Sequence, residues 1–370
     1  MGEPVCRGAV PPGARLARPP AMNCATRTRV AICVPVRDER ECLPALLDAF
    51  SRQHRPRADL VVCLLFDGCD DGGHAYVQAR KAELGYRLVS ARIERLATAR
   101  AGRARRAAMA LGAKTLARDR QPGDIELLLS TDADSVPAAD WVDASIRALE
   151  QADVVAGYIE RPDAPPMDMH RRVERYWERL RCLQRTVDPL DYDPAPSHPS
   201  QGGASLGFRA DVYAALGGFD DIATHEDVRL VTAARAAGYR VRHDRGVRVA
   251  TSSRVHGRAV DGLADTLRAR QSCRDMPAVQ NPDTALARYR LCAQTRAAFD
   301  GIADAATARA LAEHSNRSVD ELRAIAGECA SAESFVMRLV PDPENSEELA
   351  LDSAEQRLAQ LETAYGCPTA

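Results

Sequence analysis

Lysine is nearly missing from this chain. Lys81 and Lys114 are the only two among 50 basic residues, the rest being arginine. A Schiff-base or P-loop lysine would have to be one of these, and neither stands in a suitable motif. No apolar stretch approaches the roughly 20 residues that a membrane-spanning helix needs. The eleven cysteines, scattered from Cys6 to Cys367, are odd in number and include no CxxC pair. That pattern fits reduced thiols in a cytoplasmic protein better than a disulfide framework or a zinc site. A formal charge of −2 and a pI near 6.5 leave no electrostatic footprint for nucleic acid or acidic lipid. Residues 1–28 are rich in Pro, Arg, Gly and Ala and lack an apolar core segment. They read as a disordered tail, not a signal peptide, with Met22 as an alternative start.

What is present is an alternation of short apolar runs and amphipathic stretches. Arg29 to Pro35 reads as a buried strand, and Leu43, Leu46, Leu47 and Phe50 fall on one helical face after it. Leu60 to Phe66 is a second apolar run, ending in a loop by composition at Asp67 to Gly73. A short strand near Tyr86 to Ser90, an Arg/Ala-rich helix over about Thr98 to Arg118 and a strand over Ile125 to Ser130 follow. Ala152 to Ile159 continues the series, and Tyr239 to His243 and Val247 to Thr251 read as two further strands. The spacing predicts an α/β fold with a doubly wound, mostly parallel sheet, Rossmann-like in plan. Beyond about Gly262 the chain reads as mainly helical.

Ligands of such sheets bind at the carboxyl ends of the strands. Asp38 and Glu39, Asp67, and Asp132 with Asp134 would all stand on that rim. On an extended segment Asp132 and Asp134 share a face, and close carboxylates call for a positive partner, commonly a hard divalent cation. The plain alternative is a loop or helix start with solvated acids, since Asp and Ser favour caps and turns.

Read in order, Val34-Pro35-Val36-Arg37-Asp38-Glu39, Asp67 to Asp71 and Thr131-Asp132-Ala133-Asp134-Ser135 resemble a family 2 glycosyltransferase of the GT-A fold. Gly202-Gly203-Ala204-Ser205 through Arg209, Gly217-Gly218-Phe219-Asp220 and Glu226-Asp227 complete the resemblance, which covers about Arg29 to Arg258. It implies a nucleotide-diphospho-sugar donor, Mn²⁺ or Mg²⁺, and transfer to an acceptor hydroxyl on a glycan, lipid or small molecule. Carried over by motif, Pro35 and Glu39 lie at the nucleotide edge and Asp67 binds the base. Asp132 faces the ribose or the metal, and Asp134 is the metal ligand. Asp227 resembles the catalytic base of an inverting transfer, with Glu226 as its neighbour at the helix start. The chain lacks the QxxRW motif of processive, membrane-embedded synthases, which implies a soluble enzyme of single transfers. The implied organisation is a tail over 1–28, a GT-A domain over 29–262 and a helical region over 263–370. Within the GT-A domain a nucleotide half ends near 135. The helical region is assigned either to cover the acceptor side or to join two copies in a homodimer.

Beside these stand plainer readings. Asp227 can serve only as a helix N-terminal carboxylate, a role worth about 0.3–1 kcal/mol. Asp67, followed by glycine, fits an Asx-turn. Among the arginines of the 98–118 helix, Arg103 is selected as a diphosphate contact, since arginine binds phosphate oxygens bidentately. His256 is a candidate third metal ligand. Tyr176 and Trp177 can stack on a sugar or acceptor, although burial against the sheet is the simpler role. A DxD phosphatase of the haloacid-dehalogenase type also matches Asp132 to Val136, yet no lysine follows Lys114 to hold its phosphoaspartate. A non-catalytic nucleotide-sugar-binding protein of the same fold is the remaining rival.

Overall fold

The computed structural model describes residues 27–54, 58–96, 100–162, 169–252, 277–342 and 346–367. The tail up to residue 26 and His256 lie outside the described residues. Strands and helices alternate as β1 (Thr28–Val36), α1 (Leu43–Ser51), β2 (Ala58–Asp67), α2 (Gly73–Arg80), β3 (Arg87–Ile93), α3 (Ala101–Ala117) and β4 (Ile125–Ser130). Then come β5 (Ser135–Pro137), α4 (Trp141–Gln151), β6 (Val154–Glu160), α5 (Met169–Val187), β7 (Leu206–Arg209), α6 (Ala210–Ala215), α7 (Glu226–Ala236) and β8 (Val241–Thr251). One mixed sheet results, in the order β3-β2-β1-β4-β7-β6-β8-β5. Strands β3, β2, β1 and β4 run parallel, β7 is antiparallel to both its neighbours, and β6 is again parallel to β8.

The central strands are apolar on both faces because both faces are covered. Val30, Ile32 and Val34 pack with Leu43, Leu46 and Phe50 of α1 and with Trp141 and Leu149 of α4. Ala31 and Cys33 turn the other way, toward Met109 and Leu116 of α3 and Val231 of α7. The expected strand pair over 239–251 is instead the single strand β8. Its register against β6 jumps between Gly157↔Asp244 and Tyr158↔Arg248, so Gly246 marks a bulge, not a turn. Helix α4 and edge strand β5, which pairs Ser135 to Thr251, have no counterpart in the sequence reading.

The remaining elements are β9 (Ala278–Gln280), α8 (Pro282–Ala298), α9 (Ala305–Ser315), α10 (Val319–Gly327), α11 (Ala332–Leu339), β10 (Glu348–Ala350) and α12 (Leu351–Tyr365). The short strands β9 and β10 pair antiparallel. Val173, Tyr176, Leu180 and Leu183 of α5 share one apolar cluster with Leu286 and Tyr289 of α8 and Leu351, Leu358 and Leu361 of α12. Bidentate arginine–carboxylate pairs seal it: Arg172 on Glu355, and Arg179 on Glu362 at 2.9 and 2.6 Å. Tyr176 is thus fully buried, as the simpler reading had it, but its partners are these helices rather than the sheet. Its hydroxyl donates to the Gln280 carbonyl at 2.5 Å.

Beneath α5 lies an ionic layer. Asp193, fully buried, accepts from Arg181 at 2.6 Å, from the His243 backbone N–H at 2.9 Å and from Ser197 at 3.2 Å. His198 and His243 meet edge to face, ring centres 5.7 Å apart. Burial, reinforced by Arg181, lowers the His243 pKa to about 4 against the opposing pull of Asp193. Burial also holds His198 well below its ordinary range, with the neighbouring His243 and Arg181 adding to the effect. Because an unfolded histidine protonates near pH 6.5 and the folded ones do not, the unfolded state takes up extra protons as the pH falls. Stability is therefore expected to be flat above about pH 7 and to fall between about pH 6.5 and 4, with His243 alone costing about 2 kcal/mol by pH 5. Urea unfolding at pH 7 and pH 5 checks this, and replacing both histidines by Gln should flatten the slope.

Candidate functional site

The parallel strands β1, β2 and β4 deliver their carboxyl ends to one rim of the sheet. There Pro35, Glu39, Asp67, Asp132 and Asp134 line a single cleft of about 200 Å³, together with Arg37, Arg100 and Arg105. The loops after β1 and β2 are knotted together by backbone donors. Asp38, in the left-handed region at φ +51°, accepts the Asp70 N–H at 2.9 Å and pairs with Arg95 at 2.7 Å. Asp71 accepts the N–H groups of Arg40 at 2.7 Å and Gly73 at 2.9 Å. Asp38, Cys69 and Asp71 bring ligand-type atoms within 4.8 Å of one another. Oxygens of Asp38 and Asp71 accept the hydrogen bonds that build the loop, and burial raises the Cys69 pKa.

Asp67 is 3 % exposed. One carboxylate oxygen accepts from Arg37 at 2.9 Å, and the other is buried with no hydrogen-bond partner. A buried acceptor without a partner is an expensive feature, and this one belongs to a residue that lines the cleft.

The stretch after β4 is a turn rather than an extended segment, closed by the Ser135 N–H to the Asp132 carbonyl at 3.2 Å. Alternation survives: Ala133 and Ser135 are buried, while Asp132 and Asp134 are half-buried and face the cleft.

Behind them stands Arg105, with a side chain only 8 % exposed. It donates to Asp132 Oδ1 at 2.8 Å, to Glu226 Oε1 at 3.0 Å, to Ser130 Oγ at 3.0 Å and to the Gly203 carbonyl at 2.9 Å. One guanidinium thereby joins α3, the end of β4, the 203–205 turn and the start of α7. Burial works against its charge, but Asp132, Glu226 and Asp227 outweigh burial and raise its pKa above the ordinary value. Burial raises the Glu226 pKa too, against the pull of Arg105. Glycine is required where this packing is tightest. A Cβ on Gly203 would lie 2.4 Å from Arg105 Cζ, and one on Gly102 would lie 2.0 Å from the Asp220 carbonyl oxygen.

Asp227 is the second residue of α7, which follows His225, a second left-handed residue at φ +63°. Its Oδ2 accepts the Gly203 N–H at 2.8 Å and its Oδ1 the Val228 N–H at 2.8 Å. The carboxylate is half-buried and bound to the same turn that receives Arg105, so Asp132, Arg105, Gly203, Asp227 and Glu226 form one connected network.

Arg103 points elsewhere, donating to the Glu94 carbonyl at 3.4 Å, and Arg105 takes the central place. The sequence held a signal for this. Arg105 shares the buried stripe of α3 with Ala108, Met109, Gly112 and Leu116, at helical spacing, and Arg103 and Arg106 do not. A cation on an apolar stripe beside a rim rich in carboxylates is a counter-charge.

No protein-family model matches the chain, and no curated protein matches it. Among solved structures it is similar to a mannosyltransferase from Pyrobaculum calidifontis in complex with GDP-Man and Mn²⁺, at 18 % identity and a TM-score of 0.44, covering 93 % of this chain and 76 % of that one. It is also similar to residues 1–349 of TarS from S. aureus in complex with UDP-GlcNAc, at 14 % identity and a TM-score of 0.43, covering 85 % of this chain and 82 % of that one.

Proposed function

We propose that this chain is a metal-dependent glycosyltransferase of family 2 and GT-A type, moving a sugar from a nucleotide-diphospho-sugar to an acceptor hydroxyl. One observation carries the reading most: a single cleft is lined by Asp67, Asp132, Asp134 and Arg105, and Arg105 is joined to Asp227 by two successive hydrogen bonds through Gly203. The donor set suits a hard cation, since Asp134 and Asp132 offer half-exposed carboxylate oxygens and no thiol lines the cleft among the described residues. Mn²⁺ or Mg²⁺ bound there would neutralise the charge that builds on the leaving diphosphate.

The chain's own residues divide the rest. Asp67 receives an N–H of the base, and Arg37 orients that carboxylate. Arg100, at the mouth of the cleft, faces the diphosphate as a second cation. Asp227 takes the proton of the acceptor hydroxyl as its oxygen attacks the anomeric carbon, with inversion. Glu226 does not reach the acceptor; it anchors Arg105.

Calorimetric titration of UDP-, GDP- and dTDP-sugars, with and without Mn²⁺ or Mg²⁺, tests this. The expected result is metal-dependent binding of one nucleotide series, lost in Asp134→Ala. Absence of binding by every series under either metal would sink it.

A further inference from the structure

The apolar run of β4 ends on a hydroxyl. Leu127, Leu128 and Leu129 are fully buried, and so is Ser130, at 0 % exposure. A buried hydroxyl costs free energy unless it is hydrogen-bonded, and alanine would fill the strand position without that cost. Ser130 is employed nonetheless. Its Oγ accepts from Arg105 Nη1 at 3.0 Å and donates to the Gly203 carbonyl at 3.0 Å. The need arises at Nη1, which carries two hydrogens but faces three acceptors: Asp132 Oδ1 at 2.8 Å, Ser130 Oγ and the Gly203 carbonyl at 2.9 Å. Ser130 takes one N–H and returns an O–H to Gly203, so every acceptor is served.

Gly203 stands between this relay and Asp227, whose Oδ2 receives the Gly203 N–H at 2.8 Å. The start of α7 does not fix that carboxylate by itself. Its N-cap, His225, makes no side-chain capping bond and lies in the left-handed region, a conformation that persists only where the surroundings hold it. We infer that Ser130 is a positioning residue for Asp227: acting through the Gly203 turn, it keeps that carboxylate in the orientation transfer requires. This rests on the reading of Asp227 as the base. Ser130 is sealed from solvent and does not line the cleft, so its influence falls on the rate of transfer and not on donor binding.

The test takes water as the acceptor. Water attacks the anomeric carbon, its proton passes to Asp227, and the bond to the diphosphate breaks with both electrons leaving on the diphosphate oxygen. UDP-glucose, GDP-mannose and dTDP-glucose are titrated by calorimetry with Mn²⁺, and release of nucleoside diphosphate is timed at saturation with the donor that binds. Ser130→Ala should bind that donor within about twofold of wild type and release nucleoside diphosphate roughly tenfold more slowly. Asp227→Asn/Ser130→Ala should be no slower than Asp227→Asn alone, since a residue that acts through the base has nothing left to orient. Arg105→Lys keeps the charge but not the planar fork, and its slowing should likewise vanish in the Asp227→Asn background. A merely structural serine would lower stability and leave the rate of the folded enzyme alone. Ser130→Ala at the wild-type rate, or equal slowing by Ser130→Ala with and without Asp227, would overturn the inference while the base reading stands. A wild type that releases no nucleoside diphosphate, or an Asp227→Asn rate equal to wild type, removes that reading and the inference with it.

Discussion

Asp227→Asn is expected to lower turnover by about 10²–10⁴-fold while leaving donor affinity within about twofold of wild type. The substitution is chosen for what it keeps. Asparagine presents an amide oxygen to the Gly203 N–H that Asp227 Oδ2 now meets at 2.8 Å, so the 203–205 turn and the seat of Arg105 survive. What is lost is the ability to accept a proton, together with the acceptor that Asp227 Oδ1 gives the Val228 N–H. The plain reading of Asp227, a carboxylate that braces a helix start, has real support in its two backbone hydrogen bonds. Under that reading Asp227→Asn would cost about 0.3–1 kcal/mol of stability and leave turnover unchanged. A non-catalytic nucleotide-sugar-binding protein would likewise show no change in donor affinity and no turnover to lose. Single-turnover transfer with the donor series that binds, measured beside donor affinity, separates the three.

Asp193→Ala is expected to destabilise the fold by about 3–5 kcal/mol. Asp193 is fully buried and is the carboxylate that Arg181 meets at 2.6 Å and Arg185 at 3.7 Å. Arg185 already shows the strain of burial: desolvation, with Arg181 beside it, brings its pKa down to about 10. Removing the carboxylate takes a counter-charge from buried Arg185 and half-buried Arg181 and leaves the His243 N–H without its acceptor. Asp193→Asn should recover little, because the missing element is charge. By contrast, Glu328→Ala breaks a pair with Arg338 in which both side chains are about half exposed, and should cost less than about 1 kcal/mol. Urea unfolding of the three variants decides it. Asp193→Ala within about 1 kcal/mol of wild type would show that water reaches this layer and takes over the role of the carboxylate.

Much of the sheet was legible because β1, β2 and β4 are apolar on both faces, and an uninterrupted run such as Ile125 to Ser130 admits few other readings. The cleft was legible for a related reason: in a parallel sheet the acids that end such runs must share a rim. Other parts resisted. Gly246 reads locally as a turn, and only pairing with β6 shows it to be a bulge. Arg105 was passed over for Arg103 because a charge on an apolar stripe looks like an interruption until the carboxylates around it are in place. The stretch through Glu174, Tyr176, Trp177 and Leu183 reads only as a charged helix, because the residues it packs on lie more than a hundred positions away and nothing local announces them.

That last separation has a consequence for how the protein is made. Arg172 meets Glu355, and Arg179 meets Glu362, across 183 positions of sequence. On the ribosome, α5 emerges long before α12, and at about 5–20 residues per second the delay is on the order of ten seconds or more. Throughout that interval Val173, Tyr176, Leu180 and Leu183 lack half of their cover, while β1 to β4, closed by local crossovers, can already fold. The cleft at the ends of β1, β2 and β4 is thus the early part of the nascent protein. The cover of α5 waits for Leu351–Tyr365, and in that window a chaperone or a second nascent chain has its best access to α5.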